Sequence, residues 1–376
     1  MKKLNNDSLV IITNLYPLPW EPNRATFNRK QFSQLDDHYN KSVLVPVAFL
    51  SWFSHRKEIE QTEHLRFVPF FYLPKVGRRF YSVFMLFSIL LHSGWWLFKK
   101  QPKIILASWA FPEAVAACWL SQLFNSRFFF KVHGSDINLH GKIPARAKQI
   151  VNAAKHATGI LSVSKALANE MIQMGIEQNK ITVIYNGVDH QQFFIAEGSS
   201  TNNDYILYVG NLKHDKGVIE LLQGFSQIIN EQPLLTLVFA GAGAGNEKSR
   251  LLALAKQLDM SEKVTFLGTV AHQQLPKLIA NAKVLALPSY NEGVPNVVLE
   301  AMACGTPVLA TKVGGIPEVI NEEICGQLIQ PRSDNEVAQG LRVVLAKKWN
   351  KKLIRQHSEI FTWAKNKKQL VELLSL

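Results

Sequence analysis

The sequence predicts an α/β fold made of two doubly wound parallel sheets. Three observations predict it. The chain has 376 residues, more than one hydrophobic core of ordinary size takes up. Short, wholly apolar runs alternate with longer helical patterns, the mark of βαβ units whose strands are covered on both faces. The alternation pauses once, near the middle, and then restarts. Composition agrees with a packed protein, at 47% hydrophobic and 19% charged residues.

In the first half, strands are expected at 9–13, 42–47, 104–108, 128–132 and 159–163. Helical patterns lie between them, as at 26–35 and 112–124. The pause falls at 185–201, where Asn186-Gly187 gives a turn and a small, polar stretch follows. In the second half, strands are expected at 205–209, 235–240, 264–267, 284–287, 308–310 and 326–329. The resulting division is residues 1–190, a linker at 191–203, residues 204–350, and a basic helical tail at 351–376. Open α/β sheets bind ligands at the carboxyl ends of their strands, so a cleft between the two units is the expected site.

The net charge is +13. Residues 1–190 hold 23 Lys+Arg against 12 Asp+Glu, so the basicity belongs to the first half. That implies an anionic partner: a membrane leaflet, a phosphorylated substrate or nucleic acid. Nucleic acid has no other support, since no zinc-finger spacing, RNA-binding aromatic signature or basic heptad helix occurs. The alternative is a solvated basic surface with no partner. Cys118, Cys304 and Cys325 are odd in number and widely spaced, against a disulfide framework or structural zinc. A reducing cytosol is expected. The apolar run 9–12 is too short for a signal peptide and reads as the first strand.

Residues 80–98 stand apart. They are long and apolar enough to cross a bilayer. Ser82, Ser88, His92, Ser93 and Gly94 interrupt them, and Arg78-Arg79 and Lys99-Lys100 flank them. Three readings are open: a half-buried helix of the first domain, a helix lying on a membrane surface, and a span.

The strongest chemical signal runs from Ser289 to Glu300. Gly293 permits a tight turn, Pro295 suits a first helical turn, and Asn296 and Val297 continue the helix. Glu292 is then expected on a loop and Glu300 inside the helix. Free N–H groups at the helix start favour a diphosphate, and the two carboxylates can accept hydrogen bonds from sugar and ribose hydroxyls. Eight helical steps give at most about 12 Å of separation, whereas paired glycosidase carboxylates lie roughly 5 to 9.5 Å apart. The spacing suits two ends of one extended ligand. The alternative is a capped helix with a surface glutamate.

A second signal is Gly210-Asn211-Leu212-Lys213-His214-Asp215-Lys216-Gly217, where Lys213 and Lys216 are candidate phosphate contacts. Taken alone it reads as a turn with solvated lysines. A third is Lys131-Val132-His133-Gly134-Ser135-Asp136, which puts His133 at a strand tip, although a lone His is more often structural. Gly241–Gly245 and Val313–Glu318 read as glycine-rich strand-to-helix turns.

Together these residues resemble glycosyltransferase family 4. Glu292 and Glu300 resemble its E-x7-E motif, Asn186-Gly187-Val188-Asp189 its NGVD segment, Lys216-Gly217 its phosphate-contacting step, and His133–Asp136 its HGSD segment. Ala107-Ser108-Trp109-Ala110-Phe111-Pro112 is similar to the HW-x-x-P stretch of polysaccharide-building members, with Ser108 in place of the histidine. The resemblance spans residues 9 to 330. Asn211 departs from it, standing where many members carry arginine, and so does Ala25, where glycine is common.

The resemblance implies two Rossmann-like domains facing a cleft (the GT-B fold), with the C-terminal helix packing back toward the first domain. It implies a retaining transfer from a nucleoside-diphosphate sugar to a saccharide or lipid-linked saccharide in polysaccharide synthesis. A front-face mechanism goes with it, in which the leaving phosphate takes the acceptor proton. His133 and Glu292 are the implied catalytic residues. Gly210, Asn211, Lys213, Lys216, Gly293, Val294, Pro295, Asn296, Val297 and Glu300 are the implied donor contacts. No cofactor or metal is expected, and no DxD triplet occurs. The expected place is the cytoplasmic face of an anionic membrane, with no nucleic-acid partner. The rival readings are a GT-B nucleotide-sugar epimerase and a non-catalytic nucleotide-sugar-binding scaffold.

Overall fold

A computed structural model describes residues 7–72, 77–196, 204–243 and 245–376. The chain forms two compact units, one of residues 1–185 with 364–376 and the other of residues 186–363.

The first unit carries a seven-stranded sheet: β1 (Ser8–Ile12), β2 (Asn40–Ala48), β3 (Leu65–Phe70), β4 (Ile104–Ala107), β5 (Arg127–Val132), β6 (Gly159–Ser162) and β7 (Ile181–Val183). Their spatial order is β3-β2-β1-β4-β5-β6-β7, and every pairing is parallel. The second unit carries six: β8 (Tyr205–Val209), β9 (Thr236–Ala240), β10 (Val264–Gly268), β11 (Val284–Leu287), β12 (Val308–Thr311) and β13 (Gly326–Ile329). They run β10-β9-β8-β11-β12-β13, again all parallel. The strand order reverses between β1 and β4 and between β8 and β11, so each unit is a doubly wound, Rossmann-like sheet with one switch point.

All eleven expected strands form, within two residues at each end. β3 and β7 were not expected. Both are edge strands. β3 carries Arg66 and Pro69, and β7 has three half-buried residues, so neither has an unbroken apolar run. The helix expected from 112 begins at Val115, after an irregular turn over Ala110–Ala114.

The expected division at residue 190 moves to Tyr185, because 186–193 are tied into the second unit. The Arg355 guanidinium donates to the carbonyls of His190, Phe193 and Ala303 at 2.8, 2.7 and 2.6 Å. Of the expected linker, 197–203 lie outside the described residues. The expected tail is two helices belonging to different units. Lys351–Ser358 stays with the second. The helix from Trp363 to Leu374 packs into the first, as expected of the C-terminal helix. Leu370, Leu373 and Leu374 join the first core, each worth about 1.5–3 kcal/mol of burial. Buried Asn366 accepts from Gln31 (2.8 Å) and donates to the Tyr185 carbonyl (2.7 Å).

The apolar segment 80–98 forms the helix Tyr81–Lys100. It has a mean hydropathy of 1.4 over its best window. It packs lengthwise on β3 and the following helices of the first unit. Its buried side carries Met85, Ile89, Trp96 and Leu97 together with Ser82, Ser88 and Ser93, and its outer side is apolar as well: Phe87, Leu91, Trp95 and Phe98 are exposed, Leu91 by 77%.

Candidate functional site

The second unit brings its site together at the β8/β11 switch point. After β8 the chain runs through Gly210, Asn211 and Lys213 into a short 3-10 turn, His214–Lys216. After β11 it runs through Ser289–Pro295 into the helix Asn296–Ala303. Two glycines press these loops together. Gly217 has φ +68°, and a Cβ there would collide with the Pro288 carbonyl. Gly314, after β12, has φ +51°, and a Cβ there would collide with the Glu292 carbonyl. Only glycine combines that backbone with that approach.

The consequence is an ion pair. Lys216 Nζ lies 2.6 Å from Glu292 Oε1, with both side chains partly open to solvent. The pairing is fixed from behind. The Tyr290 amide donates to the Asp215 carbonyl (2.9 Å), the Tyr290 hydroxyl donates to Glu220, and the His214 ring meets the Tyr290 ring edge-on at 5.4 Å. Gly293 accepts from the Gly315 amide at 2.7 Å, and Val294 is buried beside it.

Pro295 sits one position earlier than expected, at the N-cap, and the helix starts at Asn296 with no side chain capping it. The Val298 amide donates to the Pro295 carbonyl (3.1 Å), and the amides of Asn296 and Val297 remain available to an anion. Only the second half of the Glu292–Glu300 spacing is helical, so the eight-step helical estimate does not apply. Glu300 is on the helix, its Oε1 3.6 Å from His272 Nε2. Lys213 and Asn211 are exposed on the neighbouring loop. The Asn211 carbonyl accepts from the Tyr208 hydroxyl at 2.9 Å.

The first unit places His133 at the tip of β5, half-buried. Its Nε2 lies 2.9 Å from the Ser108 hydroxyl at the tip of β4. The Trp109 ring stacks on it at 6.0 Å, and the Phe27 ring lies 5.6 Å away. Asp136 fixes the loop, accepting from the amides of His133 (3.0 Å), Gly134 (2.8 Å) and Ala110 (3.1 Å). Below the ring, the buried Lys131 ammonium donates to Gln31 (2.8 Å) and Asn28 (3.1 Å). Asn28 in turn donates to the Leu15 carbonyl (2.9 Å) and the Ser108 hydroxyl (3.3 Å).

Burial, and after it the charge of Lys131, hold His133 well below the usual imidazole range. Burial likewise brings Lys131 down to about 7 and pushes the nearby Glu113 up to about 8. His133 and Glu113 are therefore uncharged at neutral pH. Both Glu113 carboxyl oxygens are buried without a hydrogen-bond partner among the described residues.

Three features escape a reading of the sequence. Glu113 looks like an ordinary helix-start carboxylate. His272 comes from a distant loop to Glu300, and Gln192 Nε2 lies 2.9 Å from its Nδ1. Asn186 donates to the Asn296 side chain at 2.9 Å. Of these, only Asn186 had a signal, in the NGVD segment.

Comparison with known proteins agrees with this fold. Residues 46–192 match the family described as Glycosyltransferase Family 4. Residues 189–374 match the family described as glycosyl transferases group 1. An uncharacterised glycosyltransferase of Methanocaldococcus jannaschii is 30% identical over 57% of this chain and 59% of its own length. The N-acetyl-alpha-D-glucosaminyl L-malate synthase of Bacillus anthracis is 29% identical over 64% of each chain. The chain thus spans about three-fifths of the length of these curated relatives. Among solved structures, Anabaena HepE in complex with UDP superposes with a TM-score of 0.76 at 20% identity, covering 98% of this chain and 99% of that one. Two parallel-sheet Rossmann-like units and two family matches that meet at their junction establish the lineage: the chain belongs to the family 4 glycosyltransferases of GT-B fold.

Proposed function

We propose that the chain is a retaining glycosyltransferase acting at the cytoplasmic face of an anionic membrane. It moves a sugar from a nucleoside-diphosphate donor to a saccharide or lipid-linked saccharide in cell-surface polysaccharide synthesis. The observation that carries this reading is the Lys216–Glu292 pair beside an uncapped helix start at the switch point. The UDP bound by HepE supports a nucleoside diphosphate as leaving group.

In the free chain the pair neutralises itself. An incoming diphosphate competes for Lys216, and the released Glu292 accepts hydrogen bonds from the donor sugar. The first-turn amides of Asn296 and Val297 and the exposed Lys213 share the phosphate charge, and Glu300 takes the ribose. As the anomeric C–O bond breaks and the acceptor oxygen bonds to that carbon, the acceptor proton passes to the leaving phosphate oxygen. His133 serves as a neutral hydrogen-bonding group for a sugar hydroxyl. Lys216 and the amides supply the charge a metal would otherwise supply, so transfer is expected to continue in EDTA.

The exposed aromatic stripe of the Tyr81–Lys100 helix, with cations at both ends, is the proposed membrane face. Flotation should require anionic vesicles; equal recovery without lipid contradicts that part. Glu292→Ala should abolish transfer and leave the folding transition in place, and unchanged turnover contradicts the reading. Donor consumed with no acceptor product would favour the epimerase.

A further inference from the structure

A second, separate site lies at the start of that helix. A groove of about 800 Å³ runs between its first turn and the helices Val115–Leu123 and Pro144–His156. Phe80, Val83 and Trp119 line it with apolar surface, and Arg79, Lys148 and Lys155 bring cations to it. None of these three cations has a carboxylate partner among the described residues. The surroundings add positive charge. Arg146, over the Phe111 ring at 5.2 Å, is lowered from its ordinary value by burial and then by the neighbouring Arg78. An apolar trough edged by uncompensated cations complements an anionic amphiphile, and no purely polar ion fills it.

Its position adds to this. Val83 lies on the same helical face as Phe87, Leu91, Trp95 and Phe98, since spacings of three and four residues keep one side, and Phe80, 45% exposed, ends the 3-10 turn that leads into the helix. The exposed stripe therefore runs directly into the groove. The stripe connects with a further apolar patch: Phe71 stacks on Phe49 at 4.4 Å and on His92 at 5.7 Å, and Leu50 and Phe53 are exposed nearby.

We propose that the groove holds the phosphate and first carbons of a long-chain lipid phosphate drawn from the membrane beneath the stripe. The proposal rests on the membrane-face reading above and names the lipid part of the substrate. The phosphate sits among Arg79, Lys148 and Lys155, and the chain lies on Phe80, Val83 and Trp119.

Calorimetric titration of the whole chain with farnesyl phosphate tests it, with farnesol and inorganic phosphate as controls. Farnesyl phosphate should bind at least about tenfold more tightly than either control. Lys148→Glu/Lys155→Glu and the groove-filling Ala145→Trp should each weaken binding by about tenfold or more, with unchanged melting temperature. Equal binding of all three probes, or wild-type binding by both variants, overturns the proposal. A Phe87→Ser/Leu91→Ser/Trp95→Ser variant separates the two readings. It should lose flotation on anionic vesicles yet keep farnesyl phosphate. Vesicle binding by the wild type with no farnesyl phosphate binding would sink the groove and leave the membrane face standing. The reverse result would sink the membrane face alone.

Discussion

The two sheet edges handle polar groups in opposite ways. At the first, burial wins. Lys131, His133, Asp136 and Glu113 crowd beneath the strand tips, and desolvation pulls all four toward their neutral forms: Lys131 to about 7, His133 well below its usual range, Glu113 up to about 8, and Asp136 upward against the three amides that hold it. At the second, pairing wins. Lys216 and Glu292 are partly solvated and 2.6 Å apart, the geometry of a charge-assisted hydrogen bond. The first edge is suited to hydroxyls, which want neutral donors and acceptors. The second is suited to a phosphate, which wants a cation that can change partners.

The contrast can be broken from either side. The largest effect is expected at the charged edge. Lys216→Met should lower the rate of transfer by about 10²–10³, the usual loss when one charge-stabilising group is removed, and steady-state kinetics with a matched donor would measure it. A smaller loss, about 10², is expected for His133→Ala at the neutral edge. The ring carries no charge to lose between pH 6 and about 8, where Lys131 titrates, so the ring's own NMR shifts should not follow an imidazole titration there; shifts that do contradict the neutral assignment.

The smallest effect is on stability. The folded Glu113 keeps its proton between about 4.5 and about 8, where the unfolded chain has lost it. Its contribution is therefore complete below about pH 4.5 and lost as pH rises through about 8, at roughly 1.4 kcal/mol per unit. Glu113→Gln should raise the melting temperature at pH 8 and change it little at pH 5. An equal shift at both pH values would show that the carboxyl does not titrate as described.

The difference between the edges also explains what could be read from the sequence. Interior strands such as β8 and β11 were legible because they are unbroken apolar runs covered on both faces. The edge strands β3 and β7 were not, since a proline, an arginine and half-exposed positions erase the pattern. Lys216 and Glu292 were legible because glycines and a helix start mark their loops. Their direct pairing was not, because it depends on Gly217 and Gly314 closing two loops 76 residues apart. The buried network under His133 was hidden further still: Asn28 and Gln31 on one helix, Ser108 and Lys131 come from three separate segments, and Asn366 joins them through Gln31 from the far end of the chain. The helix Tyr81–Lys100 was legible as apolar, but which of its apolar residues stay exposed was not, because that is decided by β3 and the helices packed on it.

The central claim is that Lys216 and Glu292 act together on one donor. A double-mutant cycle with Lys216→Met and Glu292→Gln, read as kcat/KM for transfer, tests it most directly. Each single change should cost about 10²–10³, and the double variant should be no more than about twofold worse than the poorer single. Losses that multiply, or a single variant that turns over like the wild type, would contradict it.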